Sequence, residues 1–121
     1  MAGDLAYNIS LDHRDYDSKK LSSLCQGLGI LELIEKLPMG FSTQIGEMGN
    51  SLSAGQVQRI LLARALYREP SMLILDEALA NLNLTAAKDM LDFVRSQGVT
   101  TIIVTHNKSL IEYADAKIRL S

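Results

Sequence analysis

Two short, unbroken apolar runs constrain this chain more than any other feature. Leu73-Ile74-Leu75 is followed at once by Asp76-Glu77, and Ile102-Ile103-Val104 is followed by Thr105-His106. Runs this short and continuous suit strands buried on both faces, as in a parallel sheet. Between them, Leu84–Gln97 carries a helical stripe of Leu84, Ala87, Met90, Leu91 and Val94, with Gly98 where a helix-ending glycine belongs. Parallel strands cannot be joined by a tight turn and need such a crossover. A further helix over Gln56–Arg68, closed by Pro70, precedes the first run; it is apolar on most of its circumference and therefore expected to be well buried. A short helix over Asn107–Tyr113 and an alternating edge strand over Ala116–Leu120 follow the second. Helix–strand–helix–strand–helix–strand order predicts an α/β fold with a parallel sheet and crossover helices.

The texture differs before Ser51–Ser53. Leu21, Leu24, Cys25 and Leu28 stand at helical spacing, with Asp17 or Ser18 as the cap and Gly27 and Gly29 as the stop. A second short helix runs through Leu31, Leu33, Ile34 and Leu37 to Pro38. Asp12–Asp17 and the glycine-bearing stretch Met39–Asn50 read as loops. The chain has 121 residues, 47% hydrophobic and 21% charged. That is ordinary for a soluble globular domain, supports one core, and excludes disorder as the main state. A net charge of −2 argues against a nucleic-acid footprint. The single cysteine, Cys25, permits no internal disulfide, suits a reducing compartment, and reads as a small core residue. The methionines read as core or turn residues, and His13 as a solvated surface histidine. Arg59, Arg64 and Arg68 read as structural and interface arginines. No apolar run is long enough for a membrane span, and Met1-Ala2-Gly3-Asp4 is not the start of a secretory signal.

Ligands of open parallel sheets bind beyond the carboxyl ends of the strands. Asp76, Glu77 and His106 are placed there. Of two adjacent carboxylates, one can hold a hydrated Mg²⁺ and the other can orient or deprotonate a water. The plain alternative is that Asp76-Glu77 ends a strand and starts a turn. Ser53 and Gln56 have the spacing of a capping box. The same helix start, with a hydroxyl, Gly55 and exposed N–H groups, is also suited to an anion.

Taken together, Leu52-Ser53-Ala54-Gly55-Gln56, Arg59, Ala63-Arg64-Ala65-Leu66, Pro70, Leu73-Ile74-Leu75-Asp76-Glu77-Ala78 and His106 resemble the ATP-binding domain of ABC transporters. Ile45-Gly46-Glu47-Met48-Gly49 is similar to the loop ABC exporters carry before their signature motif. Ala2–Ile9 resembles the segment after their glutamine loop. Leu37–Thr43 and Leu61–Arg68 are most similar to peptide and bacteriocin exporters that carry a peptidase domain. The resemblance implies a partial P-loop NTPase fold of the ABC ATPase type. Residues 1–52 would form a helical, signature-subdomain region with the exporter-type loop at 45–49, and residues 53–121 the C-terminal part of the RecA-like core. It further implies that Ser53, Gly55 and Gln56 contact the γ-phosphate of ATP held by a second ATP-binding domain. Asp76 would hold Mg²⁺ through water, Glu77 would be the general base or water-orienting group, and His106 would sense the γ-phosphate. Asn81 and Asn83 would lie in the dimer-interface loop. That loop usually ends in Asp where Asn83 stands, the usual Thr-Ser pair is absent before it, and Ala54 replaces a commoner Gly.

No G-x-x-x-x-G-K-[ST] occurs, and no glycine is followed by lysine. That loop would supply the nest and the lysine for the β- and γ-phosphates. The aromatic residue that would stack on adenine is absent too. The expectation is therefore the C-terminal part of an ABC exporter ATPase domain, from a truncated gene, an internal start or a recombinant truncation. It would bind ATP poorly alone and act within a dimer joined to a transmembrane domain at the cytoplasmic face of a membrane, without inserting itself. Other readings are a standalone module that regulates a complete ATPase subunit, and a non-functional gene remnant. A DNA-repair or chromosome-structure ATPase carries the same signature, but the loop Ile45–Gly49 argues against it.

Overall fold

The computed structural model describes residues 3–11, 15–48, 52–76, 79 and 82–113. The chain divides into two compact units, Met1–Pro70 and Ser71–Ser121.

The first unit is helical. It contains α1 (Leu5–Ser10), α2 (Ser18–Gly27), α3 (Leu31–Glu35), a 3₁₀ turn (Gly40–Ser42), α4 (Ile45–Met48) and α5 (Ala54–Tyr67). Asp17 caps α2, its carboxylate accepting from the Lys19 and Lys20 N–H groups at 3.1 Å each. Leu21, Leu24, Cys25 and Leu28 of the α2 region are all buried, as their spacing predicts. α3 is shorter than its apolar spacing predicts, stopping at Glu35. Helix α1 was not expected from the sequence. Asp4 caps it by accepting from the Tyr7 N–H at 2.8 Å, and Leu5 and Ile9, one turn apart, are fully buried. Residues 39–48 are not a plain loop either, because the 3₁₀ turn and α4 lie within them. Backbone bonds from Leu5 N–H to the Thr43 carbonyl and from Ile45 N–H to the Gly3 carbonyl tie this segment to the start of α1.

Helix α5 packs on α1 and α2. It buries Ile60, Leu62, Ala63 and Leu66, but Leu61 is 43% exposed, so the helix is less enclosed than its composition predicts. Arg64 stands in its last turn, where a cation complements the helix dipole. At that end the Tyr67 hydroxyl accepts from the Asp17 N–H at 2.8 Å, and Lys20 Nζ lies 4.5 Å from the Tyr67 ring centroid. Lys20 also pairs with Glu69 at 3.3 Å. Glu69 takes a left-handed backbone conformation (φ 52°), which costs about 1–2 kcal/mol for a non-glycine residue.

The second unit is β1 (Met72–Asp76), α6 (Leu84–Ser96), β2 (Thr100–Val104) and α7 (Lys108–Tyr113). The two strands pair in parallel from Met72↔Thr100 to Asp76↔Val104. Gly98 stops α6 with φ +74°, and its N–H donates to the Arg95 carbonyl at 3.0 Å. Ala87, Met90, Leu91 and Val94 are buried, while Leu84, expected in the same stripe, is 37% exposed. The strands depart from expectation. They alternate instead of being covered on both faces: Leu73 and Leu75 are buried, whereas Met72, Ile74, Ile102 and Val104 stand exposed. Side chains alternate across a strand, so covering one face of a two-stranded sheet leaves every second residue outside. Met72 and Met39 are thus both exposed, Met39 in a turn and Met72 on the open sheet face. The Ala116–Leu120 strand expectation and His13 lie outside the described residues.

Burial pushes the Cys25 thiol up to about 12. The sign follows directly: a thiol whose folded value lies above its unfolded value stabilises the fold below the unfolded value, and this is lost as pH rises through the folded one. Cys25 is expected to be inert to Ellman's reagent at about pH 8 and to react at once in guanidinium, where the thiol returns to about 8.5. Rapid native-state labelling would contradict this placement.

Candidate functional site

The start of α5 is built from a closed capping box. The Gln56 N–H donates to Ser53 Oγ at 3.1 Å, and the Ser53 N–H donates to Gln56 Oε1 at 2.9 Å. Each side-chain oxygen thereby accepts one bond within the helix end. The donors left over at this helix start are the Ser53 hydroxyl proton, the Gln56 amide N–H₂, and the Ala54 and Gly55 N–H groups that helix geometry leaves without an intrahelical acceptor. Ser53 is exposed, and Gly55 and Gln56 are half-buried. The chemistry of such a donor set suits an anion.

The second unit contributes a different set. Asp76 is the last residue of β1 and pairs in register with Val104, the last residue of β2. His106 follows Val104 by two residues, so the parallel pairing brings Asp76 and the His106 turn to the same sheet edge. Both side chains are exposed. The His106 turn is held by the Asn107 N–H donating to Thr105 Oγ1 at 3.0 Å. It is held also by Asn107 Oδ1, which accepts from the Ser109 N–H at 3.0 Å and starts α7. Asn83 caps α6, its Oδ1 accepting from the Ala86 N–H at 2.8 Å. Glu77 and Asn81 lie outside the described residues.

Among the described residues no cluster of three His, Cys, Asp or Glu side chains could hold a metal. Mg²⁺ does not need such a cluster, and an exposed carboxylate such as that of Asp76 is a ligand type it takes. That ion keeps several waters and takes one or two carboxylates plus phosphate oxygens. One arrangement had no counterpart in the sequence reading: the Tyr113 hydroxyl donates to Asp92 Oδ1. Lys88, Asp92 and Arg95 at i, i+4 and i+7 of α6 were the available signal, since they form one polar stripe facing a single neighbour.

A profile of the ABC transporter family matches residues 7–80. The chain belongs to that family. It is 33% identical over 119 residues to the probable microcin-H47 secretion/processing ATP-binding protein MchF of Escherichia coli, covering 98% of this chain and 17% of that protein. It is 37% identical over 123 residues to the type I secretion system ATP-binding protein PrsD of Rhizobium meliloti, covering 99% of this chain and 21% of that one. A solved structure of a bacterial Atm1-family ABC exporter with ATP bound superposes with a TM-score of 0.79 at 32% identity, covering 93% of this chain and 20% of that chain. The fold is thus part of an ABC ATPase domain, and the chain spans about a fifth of the length of these relatives. Among the described residues no helix is long and apolar enough to cross a membrane.

Loss of a capping hydroxyl typically costs about 1 kcal/mol. Ser53→Ala is expected to lower the stability of the helical unit by that amount in a denaturant titration, and Ser53→Gly by only a few tenths. Asn83→Asp keeps the cap and is expected to be neutral or to stabilise α6 by about 0.3–1 kcal/mol through the helix dipole.

Proposed function

We propose that this chain is the signature-bearing C-terminal part of an ABC exporter ATP-binding domain. The observation that carries the reading is the capping box at the exposed start of α5, whose remaining donors suit an anion, with a carboxylate and a histidine turn at one sheet edge in the same chain. Ser53, Gly55 and Gln56 donate to the γ-phosphate of ATP held by a second ATP-binding domain. Asp76 holds a hydrated Mg²⁺, which when bound neutralises phosphate charge. Glu77 orients or deprotonates the attacking water. His106 contacts the γ-phosphate, and Asn81 and Asn83 line the dimer interface. The partners are a second ATP-binding domain and a transmembrane domain, at the cytoplasmic face of a membrane. The similarity to a microcin secretion protein supports a peptide or bacteriocin-like cargo. The chain makes no contact with nucleic acid and does not itself insert in the membrane.

A second reading, favoured by a donor set in a chain without a phosphate loop, is a module that presents Ser53–Gln56 to the ATP of a complete subunit. ATP-dependent co-purification with such a subunit supports it; co-purification indifferent to ATP sinks it.

In a complete domain carrying this chain, Glu77→Gln is expected to slow hydrolysis by about 10²–10⁴-fold with ATP still bound, the usual range for a general base. Hydrolysis within a few-fold of the parent would refute the assignment. The 121-residue chain alone is expected to give negligible heat on titration with Mg·ATP, because its own sequence holds no phosphate-cradling loop. Micromolar binding would overturn that expectation.

A further inference from the structure

Helix α7 has only six residues. A helix that short is not stable on its own in water. Its geometry therefore comes from what it is fastened to. One anchor is Leu110, 4% exposed. Among the described residues a second lies one turn further, on the same face. The Tyr113 hydroxyl donates to Asp92 Oδ1 on α6. Two cations of the same helix lie near the ring, with Lys88 Nζ 5.3 Å and Arg95 Cζ 5.5 Å from its centroid. Lys88, Asp92 and Arg95 thus form one stripe that grips one tyrosine.

The other end of α7 runs directly into the His106 turn. Asn107 is shared: its N–H donates to Thr105 Oγ1, and its Oδ1 and carbonyl accept from the first N–H groups of α7. Leu110 alone leaves a short helix free to swivel about a single buried side chain. A second anchor removes that freedom, and the turn follows the helix.

We propose that Tyr113, held by Asp92, is a positioning residue that sets the direction of the Thr105–Asn107 turn and hence of His106. Its functional weight rests on the reading of His106 given above; the fastening itself does not.

The Tyr113 phenol is raised above its ordinary value. The bond to Asp92 is the main cause, with burial and the charges of Asp92 and Asp89 adding and Arg95 opposing. A raised phenol keeps its donating proton through neutral pH, and the bond is lost only as pH climbs past the ordinary tyrosine value of about 10.

The test is NMR on the 121-residue chain. Tyr113→Phe and Asp92→Ala are each expected to speed amide exchange at Ser109, Leu110 and Ile111 about tenfold, the scale of one hydrogen bond to a charged group. Exchange in β1 and β2 is expected to stay at the parent rate. Asp92→Asn, whose amide oxygen can still accept, restores exchange to within about twofold. Asp92→Ala also brings the Tyr113 ring-carbon titration back toward about 10. Parent-like exchange in Tyr113→Phe would overturn the proposal. So would an Asp92→Asn variant as loose as Asp92→Ala, since charge and not the hydrogen bond would then hold the helix. A loosened turn with unchanged ATP hydrolysis in the complete domain keeps the fastening and refutes the role of His106 instead.

Discussion

The parallel pairing of β1 with β2 is the constraint on which the second unit depends. Parallel neighbours cannot be joined by a hairpin. The chain must leave β1, cross back along α6 and re-enter beside its own start, with Asn83 opening the crossover and Gly98 closing it. The same geometry puts both carboxyl ends on one edge. Asp76 stands opposite Val104, so whatever follows Val104 emerges beside Asp76. A one-residue slip would exchange the faces of β1 and turn Leu73 and Leu75 outward. Core packing and placement of the charged edge are thus fixed by a single register.

In the helical unit, capping and chemistry at the start of α5 are not alternatives. The box between Ser53 and Gln56 engages both side-chain oxygens inside the helix end. An unbonded Ser–Gln pair would present a mixture of lone pairs and protons. The closed box ties one lone pair of each oxygen into the helix end and leaves the hydroxyl and amide protons available, the polarity an anion requires. The structural role therefore favours the proposed binding role.

Local rules were legible in the residues; distant ones were not. Asp17, Ser53 and Gly98 each act within a few residues of their own position, so α2, α5 and the end of α6 could be read directly. The strands could be read from apolar runs, but not their burial. Apolarity says what Ile74 and Ile102 tolerate, and not whether anything covers them. Helix α1 was missed although Asp4, Leu5 and Ile9 carry its cap and its stripe, because six residues give too short a period to stand out. The Tyr113–Asp92 bond joins residues 21 positions apart, and the polar stripe on α6 does not say which distant residue it meets. In the candidate site, the positions of Ser53, Gly55, Gln56, Asp76 and His106 were legible because strand ends and helix starts place them, while the roles proposed for them rest on resemblance. The roles of Glu77 and Asn81 rest on resemblance, as both lie outside the described residues.

Asn83 shows how a departure from a family pattern can leave shape intact and change chemistry. As a helix cap, Asn serves as well as Asp. Its Oδ1 is already committed to the Ala86 N–H. An aspartate in the same rotamer would commit one oxygen to that bond and offer the other, charged, to a neighbour. The asparagine offers its amide protons instead. At the dimer interface proposed for this loop, the position therefore changes from acceptor to donor and loses a negative charge without disturbing α6. A facing backbone carbonyl or carboxylate would be favoured, and a facing N–H or lysine would lose its partner. The substitution acts on which surface the loop can meet, not on whether the helix behind it forms.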